Sequence, residues 1–333
     1  SSPVQVTGSS WNKFSMGNLH AWATKTDGTL WAWGNATNGQ LGLNATILTS
    51  SPTQVPGTTW NGTISAAYVN SYAVKTDGTL WTMGANYYGQ LGLNQGQPAN
   101  VSSPTQIGSG TDWSFVTSSL YCAFAVKTNG QLWSWGYNNI GTMGVNDRAW
   151  RSSPVQVPGT TWTSKLSDGH THVLAIKSDN TLWGWGDNEA GQLGINDVVR
   201  RSSPVQIPGT TWSSINVGKQ TAYATKSDNT FWSWGGNNEK GQLGHNNRTQ
   251  YSSPVQIPGT TWVAGQGAAN KAVAVVKTDG TLWTWGSNYT GALAQNNRTD
   301  YSSPVQVPGT TWSKAYGNLT NDVNPSFILT KQV

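Results

Sequence analysis

One ten-residue phrase recurs along this chain and constrains its fold more than any other feature. At residues 277–286 it reads Lys-Thr-Asp-Gly-Thr-Leu-Trp-Thr-Trp-Gly, and copies stand at 25–34, 75–84, 127–136, 177–186 and 226–235. Asp-Gly is a strong hairpin signal, because a type I′ turn needs positive φ at both central residues. Asn129-Gly130, Asp179-Asn180 and Asp228-Asn229 replace it with residues that tolerate the same region. A short apolar run such as 272–276 precedes the turn, and the strand-favouring Thr-Leu-Trp-x-Trp follows it. Each phrase therefore reads as a β-hairpin whose second strand sets two tryptophans on one face. The second copy carries Met83 in place of the second Trp. The bland job for such periodic indoles is to pack one sheet against the next.

A second marker, Ser-Ser-Pro-x-Gln, sets the register. Its prolines are Pro3, Pro52, Pro104, Pro154, Pro204, Pro254 and Pro304, spaced by 49, 52, 50, 50, 50 and 50 residues. Proline at the start of a short strand belongs on a sheet edge, where no donor is needed on the outer side. A Pro-Gly turn follows in most copies, then Thr-Thr-Trp and a further strand. Each repeat thus holds a Trp-led strand, an apolar strand, a Trp-x-Trp strand and a Pro-led edge. Four strands per roughly 50-residue repeat, set radially, make a propeller blade. A solenoid would need capped ends, and nothing here resembles a cap. Residues 1–333 are expected to form a single all-β domain.

Residues 182–194 read Leu-Trp-Gly-Trp-Gly-Asp-Asn-Glu-Ala-Gly-Gln-Leu-Gly. This resembles the repeat of the RCC1 (regulator of chromosome condensation) family, and the resemblance covers essentially the whole chain. It implies a seven-bladed β-propeller. It implies little about function, since that fold serves exchange factors, photoreceptors, inhibitors and structural proteins. The near-identical repeats look most like those encoded by bacteria and their phages. Closure of such a ring is expected to be irregular. Residues 312–317 and 326–331 supply two strands of the last blade and residues 2–6 its edge, but no seventh Trp-x-Trp strand follows. The N- and C-termini are expected to share that blade, with 2–6 pairing directly against 326–331. A strand donated by an assembly partner is the alternative.

Composition excludes several function classes. Charged residues are only 10%, and the net charge of +5 is mild for this length. The single cysteine, Cys122, precludes an internal disulfide and lies in an apolar run. No apolar stretch approaches a membrane span. No nucleophile elbow or phosphate loop appears. Asp27, Asp77, Asp179, Asp228 and Asp279 sit in hairpin turns, and Glu189 and Glu239 stand one repeat apart, too regular for an acid/base pair. His170 and His172, near Asp168, have ligand spacing for a strand. Yet His172 shares its repeat position with His20, Asn70, Cys122, Thr221, Ala272 and Ser326, so no metal, cofactor or catalytic residue is expected, and the chain is not read as an enzyme.

One departure from the repeat carries more meaning. The six arginines, Arg148, Arg151, Arg200, Arg201, Arg248 and Arg298, all lie between a Trp-x-Trp strand and the following Ser-Ser-Pro. Trp150, Tyr251 and Tyr301 share these loops. Arginine with aromatics is the composition of an interface, and it also suits acidic glycans or phosphate. Scattered lysines argue against nucleic acid. The expected activity is therefore binding of a protein or acidic glycan through this loop face, as an extracellular structural or adhesion module of a phage virion or bacterial surface. The alternative is a regulatory protein-binding propeller, a guanine-nucleotide exchange factor or enzyme inhibitor.

Overall fold

A computed structural model describes residues 6, 8–96, 99–169, 171–263, 271–317 and 327–331. Every regular element among them is a β-strand, and the strands form seven antiparallel sheets, one per repeat. The fourth repeat is typical: Trp162–Asp168, His172–Lys177, Leu182–Gly186 and Arg201–Ile207 pair in that order. The Pro-led strand is outermost, as a chain element lacking one N–H donor requires.

The chain divides into two compact units, Ser1–Asn139 with Asp147–Thr160, and Ile140–Asn146 with Thr161–Val333. The first holds three four-stranded sheets. The second holds two four-stranded sheets, a three-stranded sheet (Ala272–Val276, Leu282–Gly286, Tyr301–Val307) and the pair Trp312–Gly317 with Phe327–Lys331. The expected edge strand 2–6 and its pairing with 326–331 lie outside the described residues.

The hairpin turn differs from the type I′ expectation. Gly28 and Gly280 have φ of 79° and 78°, but Asp27 and Asp279 do not share the positive region. The Gly28 N–H donates to Lys25 C=O and the Lys25 N–H to Thr29 C=O. This is a longer hairpin loop that needs one left-handed residue, not two. The aspartate is freed for another task. Asp27 Oδ1 accepts the Thr29 N–H and hydroxyl at 2.9 and 2.6 Å, and the Thr29 oxygen accepts Trp31 Nε1–H at 2.8 Å.

The two tryptophans of each hairpin divide the packing. The first is half-buried and completes a stack within its own sheet: Lys177 Nζ lies 4.1 Å from the Trp183 ring centroid and 4.6 Å from that of Trp162. Such cation–π contacts recur in every described hairpin and pin three strands together. From the third copy on, the second tryptophan (Trp135, Trp185, Trp234, Trp285) is fully buried against the preceding sheet, whereas Trp33 of the first copy is half-buried. Trp234 joins Leu174, Ile176, Leu182 and Ile207 of the fourth repeat in one core cluster. Its Nε1–H donates to Gln192 C=O at 3.0 Å, as Trp135 does to Gln90 and Trp285 to Gln242. Burying an indole of roughly 200 Å² at about 25 cal/mol per Å² contributes on the order of 5 kcal/mol before entropic costs. Alternation along the apolar strand makes room for it: Ala222 and Ala224 face the Trp side, while Tyr223 faces the next sheet.

Candidate functional site

In the first five repeats the first-to-second strand turn and the long third-to-fourth connection lie at one end. The Tyr137 N–H donates to Tyr121 C=O at 2.9 Å, and the Asp187 N–H to Thr171 C=O at 2.9 Å. The long connection is shaped from within. Asn188 Oδ1 accepts the Leu193 N–H at 2.9 Å, while its Nδ2 donates to the carbonyls of Asp197 and Val199 at 3.0 and 3.2 Å. Its far side is tied to the following repeat, where the Asn196 N–H donates to Ser252 C=O at 2.8 Å. The Asn of Trp-Gly-x-Asn and the first Ser of Ser-Ser-Pro are thus loop-holding residues, and the tip between them faces solvent.

The structure sorts the arginines of these tips into two kinds. In the first unit, Arg151 pairs with Asp147 four residues earlier and donates to Trp150 C=O. In the second, Arg201 makes the same pair with Asp197 and donates to Val199 C=O at 2.8 Å. Arg200 lies with Nε 3.0 Å from Asp187 Oδ1 and a terminal nitrogen 2.8 Å from Glu189 Oε1. The hydrogen bond to Asp187 leads the causes that raise its pKa above the ordinary arginine value. In the next two repeats the Asp–Arg pair becomes Asn–Tyr: Asn247 Nδ2 donates to the Tyr251 hydroxyl at 2.9 Å, and Asn297 Nδ2 to that of Tyr301 at 3.0 Å. These five residues brace their own loops. Arg148 in the first unit, and Arg248 and Arg298 in the second, are exposed and make no described ion pair. They occupy one repeat position, at exact multiples of 50 residues apart.

Trp150 stands in an aromatic cluster of the first unit. Its ring centroid is 5.0 Å from that of Tyr88 and 5.4 Å from that of Tyr137, and its Nε1–H donates to Asn139 Oδ1. Tyr88 also meets Tyr121 at 4.9 Å, and Tyr121 meets Tyr68 at 6.3 Å. The tyrosines were not singled out by motif. The available signal was that they interrupt the repeat: Tyr88, Tyr121 and Tyr137 stand where the fourth repeat has Ala190, Thr171 and Asp187.

The histidine positions lead elsewhere. His172 is fully buried on its strand, and His170 lies outside the described residues. His20 Nε2 lies 2.8 Å from Ser71 Oγ, and burial lowers its pKa to about 4. No group of three His, Cys, Asp or Glu placed to hold a metal ion occurs among the described residues.

A family model described as an RCC1-like domain matches residues 1–270, and one for the regulator of chromosome condensation (RCC1) repeat matches 279–315. No curated protein matches the chain. Human WBSCR16 superposes with a TM-score of 0.76 at 20% identity, over 94% of this chain and 85% of that one. Prp20p from Saccharomyces cerevisiae, described with its binding to Gsp1p and histones, gives 0.74 at 18% identity over 90% and 77%. The same yeast RCC1 bound to Kap60 gives 0.73 at 18% over 92% and 78%. At such identities these likenesses carry the β-propeller fold. They also correct the extracellular or virion-associated location expected above. Histones are intracellular, so the relatives point away from it, and low charge with near-identical repeats is no location signal.

Proposed function

Because the chain belongs to the RCC1-like family, we propose that residues 1–333 act as one regulatory, protein-binding propeller that holds its partner against the loop tips. The observation that carries this reading is the contrast among the arginines. Bracing arginines are consumed by their own loops, whereas Arg148, Arg248 and Arg298 keep a free guanidinium at one repeat position. An exposed arginine with no internal partner matches a carboxylate presented from outside, in bidentate geometry. Aromatic and arginine side chains together supply the residue types that dominate binding hot spots. The relatives named above include one described with protein partners, which favours a protein over a glycan.

The test uses the intact chain as bait in extracts of the cells that make it, beside the triple variant Arg148→Glu/Arg248→Glu/Arg298→Glu. The expected result is a defined protein set captured by the parent and lost from the variant. If parent and variant capture the same set, the loop-tip reading fails. Nucleotide release measured on any captured GTPase then separates exchange from other regulation.

A further inference from the structure

The repeats of this chain serve as controls for one another. Where an aromatic recurs along the repeats, it holds the strands of a blade together or packs one blade on the next. Aromatics that break the period need another reason, and in the first unit they converge. Tyr68, Tyr87, Tyr88, Tyr121, Tyr137 and Trp150 come from two first-to-second turns and two long connections, yet form one surface. Tyr88 is its hub, with Tyr121, Tyr137 and Trp150 at 4.9, 5.2 and 5.0 Å and interplanar angles of 67°, 68° and 87°. Tyr68, Tyr87 and Trp150 are 39%, 42% and 41% exposed, so rings at its margin stay wet where blade-packing indoles do not. Edge-to-face rings leave furrows between them rather than a flat plate.

The polar groups of this surface are also distinctive. The hydroxyls of Tyr68, Tyr88, Tyr121 and Tyr137 have no hydrogen bond among the described residues, and the phenols of Tyr88, Tyr68 and Tyr87 act electrostatically on that of Tyr121. Burial first, then these neighbours, push the Tyr121 phenol above its ordinary value, so it remains an O–H donor. Amides stand at the rim: Tyr87 donates to Asn38 Oδ1 at 2.6 Å, and Asn100 Nδ2 to the same oxygen at 3.3 Å. None of the six side chains is charged. The surface therefore offers furrowed rings and free O–H donors.

That chemistry complements a polypeptide with apolar rings, free carbonyls and few N–H groups. A proline-rich segment in the polyproline II conformation is such a chain: its carbonyls are unpaired, its prolines lack donors, and little entropy is lost on binding. We propose that this patch docks a proline-rich segment of the protein partner, with a proline ring laid in the furrow where Tyr88 and Trp150 meet edge to face and Tyr121 donating to a peptide carbonyl. The inference rests on the protein-binding reading above and names the chemistry of what is bound.

The test measures fluorescence anisotropy of labelled proline-rich peptides, carrying Pro-x-x-Pro in both directions, against proline-free peptides of equal length. The variant Tyr88→Ala/Tyr121→Thr/Trp150→Gln takes the residues that the fourth and fifth repeats already carry at these positions, which keeps the fold within the chain's own repertoire. The intact chain is expected to bind a proline-rich probe at least about tenfold more tightly than its proline-free counterpart, and the variant to lose that preference. The arginine triple variant retains the preference if the patch acts alone. Equal binding of both peptide classes, or an unchanged preference in the aromatic variant, overturns the proposal. If that happens while partner capture still depends on the arginines, the proposal falls and the protein-binding reading stands.

Discussion

At the Asp-Gly turns one carboxylate oxygen organises the next four residues. It accepts two hydrogen bonds from threonine, and that threonine receives the first Trp indole. The third repeat lacks this relay: Gln131 replaces the threonine, Trp133 Nε1 is buried without a partner, and Lys127 stands 5.3 Å from the Trp133 ring against 4.1 Å for its counterpart Lys177. Gln131→Thr is expected to raise stability by about 1 kcal/mol, and Thr181→Val to lower it by a similar amount, read from denaturant midpoints. His20 makes a second prediction. Its folded pKa of about 4 lies below the ordinary 6.5, so unfolding takes up a proton between those values and stability falls as pH drops through that window. The expected loss is about 2 kcal/mol at pH 5 relative to pH 8, reduced in His20→Asn, which copies Asn70. Burial lowers His245 in the same direction, so the dependence is reduced rather than abolished.

At the scale of the element, adjacent blades meet at the last glycine of Gly-Gln-Leu-Gly. Gly194 has φ of 68°, and a Cβ there would lie 2.6 Å from Trp234 Nε1. Gly194→Ala combines a left-handed non-glycine residue with overpacking and is expected to cost about 2–3 kcal/mol in chemical denaturation. The chain carries its own contrast. In the sixth repeat Ala294, with φ of 55°, takes this position, and no Trp-x-Trp strand follows that repeat in sequence. Ala294→Gly is expected to change stability by less than about 1 kcal/mol, because strain relief and unfolded-state entropy oppose each other.

For the whole molecule, the proposed binding role puts stability and recognition on different side chains. Periodic Trp, Lys, Asp and Gly hold the blades. The residues that vary between repeats concentrate at the loop tips, where neither hairpin nor core constrains them. The triple variant Arg148→Glu/Arg248→Glu/Arg298→Glu is therefore expected to unfold within about 0.5 kcal/mol per site of the parent. Partner capture by the parent is expected to weaken as ionic strength rises, as contacts between exposed charges do. A triple variant that unfolds early would instead assign these arginines a bracing role like that of Arg201.

The sequence by itself determined the hairpins, their register and the propeller, because each follows from a short-range period: two along a strand, about 50 along the chain. It also marked the loops that carry every arginine. Tertiary structure decided what each arginine does. Arg151 and Arg201 find carboxylates four residues away only because the Asn-held loop folds back on itself, whereas Arg148, at the same kind of tip, points free. It likewise decided the aromatic surface. Tyr68 and Trp150 stand 82 positions apart in the chain, and only the stacking of consecutive blades brings their loops together. No local pattern encodes that meeting, since side chains distant in sequence become neighbours through the packing of indoles that lie elsewhere.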